Sequence, residues 1–497
     1  MAKATTTKAA KKSAVSIDKV SIRLYRGGTG DCFLLQFKSG TTVKCKMMID
    51  CGCILGGRKE FEPWVNDIKK ATGGVIDILV VTHQHADHIN GFESCADLYN
   101  KFNFKKIWFA WTEDESDDLA NDLRQNHSKT SLALQVATLQ LTGLAANKYY
   151  ESLYADEYSG SLMLESKKHF IHSLDQVNSL NAVGRMSAAS GKIPSMQQLF
   201  ADFNIIKSKT VVEFLNPGDL LKNVAGLAGM NVFVLGPPRD SDLMDITEEE
   251  GEGFEKREKK SSRDFALSAA LIGSGQGTEF LPFESDYELL TDPSAIKTDY
   301  EKGNDWRKID HDWLYSAGGM ALRYEGSINN TSLALAFQFA DSERVLLFPG
   351  DAEFGNWKSW HMGIEWNIKI NGVTKKVNAE YLLNNAVFYK IGHHCSQNGS
   401  AKRLGVDMMT SDDLTAMAPL NFSKIQTGWL NTMPNDVLCA NLIAKTKGKF
   451  FFSGDRKQIM PNIKTDRVTI KKTHETNLEN LNKKFDGKIF LECEIPG

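Results

Sequence analysis

The stretch His83-Gln84-His85-Ala86-Asp87-His88 constrains this chain more than any other. It follows Ile76-Asp77-Ile78-Leu79-Val80-Val81-Thr82, an apolar run that predicts a fully buried strand. His83 and His85 sit two apart, so an extended or tightly turned backbone lets both face one point. Asp87 and His88 then face a second point nearby. Imidazole and carboxylate groups at two adjacent points suit two cations, as a hydrolytic two-metal site requires. A lone histidine is usually a packed or surface residue. Four ligand-type residues in six positions after a buried strand are rarely that.

Three further motifs accompany it. They are Gly28-Thr29-Gly30-Asp31-Cys32, then Asn329-Asn330-Thr331-Ser332-Leu333 with Leu346-Leu347-Phe348-Pro349-Gly350-Asp351-Ala352, and Lys390-Ile391-Gly392-His393-His394-Cys395-Ser396. With HxHxDH, this set resembles the metallo-β-lactamase superfamily of metal-dependent hydrolases. Within it, the set resembles the branch typified by the hydrolase domain of competence-type DNA-uptake proteins. The motifs run in family order from about residue 20 to about residue 455, interrupted by two insertions. Cys395 stands where the family has glycine.

The resemblance implies an α/β protein, an αββα four-layer sandwich with a helical insertion. It also implies two divalent ions. His83 and His85 are expected to hold the first; Asp87, His88 and His393 the second; Asp351 is expected to bridge both. Neighbouring residues of an extended chain point opposite ways, so His394 is expected to pack or contact substrate. Asp87, Asp351 and His394 form the expected catalytic set. Asp50, at a strand end, is expected to orient the metal loop without being a ligand. Asp31 is expected to support the ligands or touch substrate. Asn330, Thr331, Ser332, Lys390 and Ser396 are candidates either for holding phosphate or for structural support. The mixed ligand set suits Zn²⁺ and also admits Mn²⁺. Many relatives give the first metal a third histidine. Between residues 89 and 350 the chain offers only His127, His169, His172 and His311, none after a buried strand. The first metal is therefore expected to rest on His83, His85, Asp351 and solvent, and to be the weaker.

The rest of the chain sorts around these motifs. Residues 1–16 read as a disordered basic tail. Residues 17–112 form the first half of the domain and 113–208 the helical insertion, a surface for a protein partner or self-association. Residues 209–400 form the second half, with a charged loop at about 241–305, and 401–497 complete it. At 497 residues with 42% hydrophobic content the chain can bury a large core. A net charge of -3 argues against a protein coated in basic charge, though not against a basic cleft. The eight cysteines show no disulfide spacing and read as reduced thiols. No run spans a bilayer and no signal-peptide core is present, so a cytoplasmic protein is expected.

Gln84 stands where flavin-linked di-iron relatives carry glutamate, and no flavin pattern accompanies it, which argues against redox chemistry. The leading expectation is a phosphodiesterase or nuclease acting on nucleic acid or nucleotides through a metal-activated hydroxide. Hydrolysis of an ester, thioester or lactone is the alternative. A non-catalytic scaffold is a third reading, against which the intact ligand set argues.

Overall fold

The structure is a computed structural model that describes residues 16–145, 194–253, 317–421, 433–454 and 468–497, apart from single positions within them, together with Asn178. Its architecture is mixed α/β with two large sheets. The first contains β1 (Lys19–Tyr25), β2 (Phe33–Ser39), β3 (Thr42–Ile49), β4 (Val75–Val80), β5 (Asn103–Ala110) and β6 (Val211–Leu215) in that order. The second runs from β7 (Leu220–Lys222) through β8 (Met230–Gly236), β9 (Ala334–Phe339) and β10 (Val345–Phe348). A separate hairpin, β11 (Glu365–Ile370) and β12 (Val373–Asn378), interrupts the chain. β13 (Ala386–Lys390) then returns beside β10, followed across the sheet by β14 (Thr415–Ala418) and β15 (Phe450–Phe452). The closing strand β16 (Phe490–Pro496) joins the first sheet, antiparallel to β1.

Strand direction decides where chemistry can sit. β3 and β4 are parallel, and so are β10 and β13. Parallel neighbours end at the same edge, where open α/β sheets present their functional loops. Asp50 follows β3, His83 follows β4, Asp351 follows β10 and the His393–His394 pair follows β13. The fold therefore collects segments scattered over hundreds of positions.

Three apolar clusters hold the architecture. One joins inward residues of both sheets, among them Val20, Phe33, Trp108, Val232, Leu335 and Phe388. A second packs the other face of the first sheet against the helix Arg58–Thr72 through Phe61, Trp64 and Ile68. A third packs the second sheet against Trp357, Trp360, Leu382 and Leu438 on helices Phe354–Ser359, Ala379–Asn384 and Asp436–Lys445. Trp108, wholly buried between the sheets, illustrates the scale: its burial is worth up to roughly 4–6 kcal/mol by area.

The sequence pattern predicts a last core strand over Ala386–Ile391 and a helix over Phe92–Tyr99. In the structure β14 and β15 continue the sheet beyond β13. The helix begins earlier, at Ala86, and breaks at Cys95 into Ala86–Ser94 and Ala96–Tyr99. Within 113–208 the described residues form the helices Asp118–Ala145 and Met196–Asp202, and no strand. His127 of the first is buried, with Nε2 3.1 Å from Ser327 Oγ on helix Ala317–Asn329. Most of the tail, most of the charged loop, and His169, His172 and His311 lie outside the described residues. Among the described residues no helix is long and apolar enough to cross a membrane.

Candidate metal centre

The chain leaves β4 through Thr82 and turns at His85, whose extended backbone (φ -64°, ψ 145°) caps the helix Ala86–Ser94. Asp87 and His88 thus lie in the first helical turn, where the helix end favours a carboxylate. The turn is pressed tightly against the chain before it. A Cβ at Gly30 would meet Asp87 O at 2.6 Å, and one at Gly52 would meet Asp87 C at 2.3 Å. Only glycine fits at either place, which accounts for Gly30 and Gly52.

Asp50 organises the histidines from behind. Its carboxylate accepts from Thr82 N–H at 2.8 Å and from Thr82 Oγ at 2.6 Å, and its Oδ2 lies 2.8 Å from His88 Nδ1. That contact leaves His88 Nε2 facing the centre, a fixed tautomer and orientation of the kind metal-ligating histidines need. Asp31 lies on the same rear side, 3.8 Å from His88 Nδ1 and 3.9 Å from His394 Nδ1. Its partner is Lys390, at 2.6 Å.

The front of the site converges on Asp351. Its Oδ2 lies 3.0 Å from His88 Nε2 and 3.2 Å from His394 Nε2. His394 Nε2 is also 2.8 Å from Asp87 Oδ2, and its Nδ1 is tied to Pro419 O at 3.0 Å. The other oxygen, Oδ1, accepts from Lys390 Nζ at 2.8 Å and from the His393 backbone N–H at 3.0 Å. Asp351 therefore turns one oxygen inward to protein and one toward the ligand groups. His83 Nε2 and His85 Nδ1 approach to 3.1 Å, and the His83 and His88 rings lie 4.1 Å apart.

His393 is placed elsewhere. The sequence reading made it the ligand and expected its neighbour to pack or contact substrate. The structure turns His394 into the cluster and His393 away from it. His393 Nε2 lies 3.3 Å from Glu325 and its Nδ1 3.4 Å from Glu353. The reason is backbone conformation. His393, His394 and Cys395 have φ of 43°, 49° and 66°, a left-handed run in which the alternation of an extended chain no longer applies. Asn329 completes this neighbouring pocket, donating to Glu353 at 3.0 Å. Glu353, two residues after Asp351, carried a signal in the sequence; Glu325 carried none.

The remaining candidates support the loops. Asn330 Oδ1 accepts from the N–H groups of Glu353 and Asn356, both at 3.1 Å, while its Nδ2 donates to Met244 O and Ile246 O. Thr331 Oγ donates to Ile328 O at 2.7 Å, Ser332 Oγ accepts from Asp351 N–H at 3.0 Å, and Ser396 Oγ donates to Asn398 at 2.8 Å. Lys390 is buried among Asp31, Asp351 and Gly350 O.

Charge states follow from this packing. Burial alone would lower Lys390, yet Asp31 and Asp351 more than reverse it and hold the ammonium charged. Burial likewise opposes protonation of His88 and His394, but the carboxylates prevail; Asp351 and Asp87 lift His394 to about 10. Burial opposes ionisation of Asp87, and His88 and His394 still bring it down to about 2. His85 has the opposite balance: desolvation takes it down to about 4 despite Asp87. His83 moves the same way, pushed down by burial and by His88 and His85.

These residues fit divalent cations. Asp87 Oδ1 and His85 Nε2 are buried without a hydrogen-bond partner, though both belong to groups that demand one. Asp31, His88, Asp351 and His394 bring ligand-type atoms within 4.8 Å of one another. In that group Asp31 stands on the rear, Nδ1 side of both histidines, so Asp87, on the Nε2 side, is the better-placed fourth oxygen donor. Comparison with known proteins agrees with this chemistry: residues 25–108 match the metallo-beta-lactamase superfamily. That segment is similar to the superfamily's metal-dependent hydrolases, and the chain is a metallo-hydrolase. No curated protein and no solved structure was found to match it. The matched segment of this metallo-hydrolase holds His83, His85, Asp87 and His88, while Asp351 and His394 lie beyond it on the second sheet.

Proposed function

We propose that this metallo-hydrolase is a phosphodiesterase or nuclease, acting on nucleic acid or nucleotides with two divalent cations, Zn²⁺ or Mn²⁺. The two-faced carboxylate of Asp351 carries the two-cation reading. With Oδ1 engaged by Lys390 and the His393 N–H, Oδ2 is left to serve both positions. Asp87, His88 and His394 would join it at one cation, and His83 and His85 at the other. When bound, the cations acidify water and stabilise charge on the attacked oxygen. The chain's own part is to hold ligands in place: Asp50 aims His88, Pro419 O aims His394 and Lys390 aims Asp351. His83 and His85, kept neutral by burial, have lone pairs available.

The substrate reading rests on the resemblance of the Gly28–Cys32, Asn329–Leu333 and Lys390–Ser396 motifs to the DNA-uptake branch. One observation favours the alternative, an ester, thioester or lactone hydrolase. Lys390, the candidate cation for phosphate, is spent on Asp31 and Asp351. A panel decides between them: bis-p-nitrophenyl phosphate, single-stranded DNA, cyclic dinucleotides, a lactone and a β-lactam, each with Mn²⁺ or Zn²⁺. Phosphodiester cleavage abolished by EDTA is expected. Lactone or β-lactam turnover without phosphodiester cleavage would replace this reading by the second.

The three apolar clusters support an αββα four-layer arrangement, and helices Asp118–Ala145 and Met196–Asp202 support a helical insertion. A cytoplasmic setting is part of this proposal, since the spacing of the eight cysteines reads as that of reduced thiols.

A further inference from the structure

Two of the thiols meet behind the metal centre. Cys395 Sγ lies 3.1 Å from Cys439 Sγ, and both residues are wholly buried in one apolar cluster. Their backbones are clamped as well. Asn435 N–H donates to Cys395 O at 2.7 Å, and Cys439 N–H donates to Asn435 O at 3.0 Å. Cys395 ends the left-handed run that begins at His393, with φ of 66°. A residue with a β-carbon pays roughly 1 kcal/mol there that glycine avoids. The chain thus keeps a side chain where the backbone favours none, and that side chain touches a second thiol.

We propose that Cys395 and Cys439 form an oxidative modification site, at which a peroxide closes a disulfide that pins the His393–His394 turn to the helix Asp436–Lys445. One sulfur attacks the peroxide, whose O–O bond breaks, giving a sulfenic acid and one water. The second sulfur then displaces the hydroxyl group, the S–S bond forms and a second water leaves. Two thiols and one peroxide become one disulfide and two waters, with two electrons passing from sulfur to oxygen. The contact with Cys395, together with burial, keeps the Cys439 thiol protonated, so closure proceeds slowly, through openings of the turn. Because His394 adjoins Cys395, pinning the turn also slows the step by which its imidazole leaves a bound cation. That consequence rests on the metal reading above; the bond itself does not.

The test uses the full chain loaded with Zn²⁺ and exposed to hydrogen peroxide for hours, then mapped by mass spectrometry after alkylation. A peptide linking Cys395 to Cys439 is expected, with metal release to EDTA slowed several-fold and both changes reversed by dithiothreitol. Cys395→Gly suits the left-handed position, so that variant should fold, keep its metal and show no peroxide effect on release. Recovery of either cysteine alkylated, or joined to a different cysteine, would overturn the proposal. A linked pair with unchanged release would overturn the pinning. A chain that binds no metal would count against the metal reading alone, and the peptide map would still decide the thiol pair.

Discussion

Metal binding at the Asp87–His88–Asp351–His394 position should expel protons, and the number follows from the packing. In the metal-free protein, carboxylates hold His394 protonated to about pH 10 and raise His88 well above the ordinary histidine range. Both Nε2 atoms face Asp351 Oδ2, so a cation arriving there needs both lone pairs and must displace both protons. Below the pKa of each histidine, every displaced proton weakens binding tenfold per pH unit, about 1.4 kcal/mol. Raising the pH from 7 to 8 should therefore strengthen binding at this position at least tenfold through His394, by roughly 1.4 kcal/mol, and further through the proton that His88 loses. The His83–His85 position should not share this dependence, because burial already keeps both rings neutral. Competition titrations of Zn²⁺ against a chelating dye at pH 7.0, 7.5 and 8.0, corrected for the dye's own protons, measure the slope. Proton release in weakly buffered solution gives an independent count, which should fall by one in His394→Ala. A flat affinity across that range would refute the protonation pattern and the ligand assignment built on it.

Three other outcomes test the remaining geometry. His394→Ala should lose metal from this position while His393→Ala keeps it, measured as metal content of the purified variants; the reverse result would restore His393 as the ligand. Lys390→Met strands two buried carboxylates and should destabilise the metal-free protein by about 3–5 kcal/mol in urea unfolding; a loss under 1 kcal/mol would mean that Asp31 and Asp351 do not depend on the ammonium. The metal-free protein should also lose thermal stability on the alkaline side. The folded pKa of His394 is raised, so its contribution is complete below about pH 6.5 and vanishes as pH rises through about 10. Melts in EDTA from pH 6 to 10 should show that decline, and His394→Ala should flatten it.

The parts of the fold readable in the sequence were those written locally. Val345–Phe348 is buried on both faces, and so is Val75–Val80 from Ile78 onward; their apolar runs announce it. His83, His85, Asp87, His88 and Asp351 were readable as candidate ligands for the same reason: each follows such a run closely. The His393–His394 choice was not, because it depends on three left-handed residues that only the packed turn enforces. The hairpin β11–β12 escaped notice because Glu365, Lys369 and Lys376 on its outward face, and Lys375 opposite Ile368 on the inner one, dilute the apolar pattern. Glu325 lies on the helix Ala317–Asn329, whose start, Ala-Gly-Gly, has weak helix propensity. Its place beside His393 follows from docking of that helix, which no local pattern records.

The candidate ligands draw on both sheets, and Asp87 and His394 are separated by 307 positions. During synthesis the early histidines emerge long before the residues that must close around a cation with them. A ribosome-bound chain that ends before Asp351 offers only half a grip, so tight metal capture becomes a late event that reports the meeting of the two halves. An ion held by these candidate ligands would act as a clasp across the interface, and its loss would loosen the second sheet from the first before either sheet unravels.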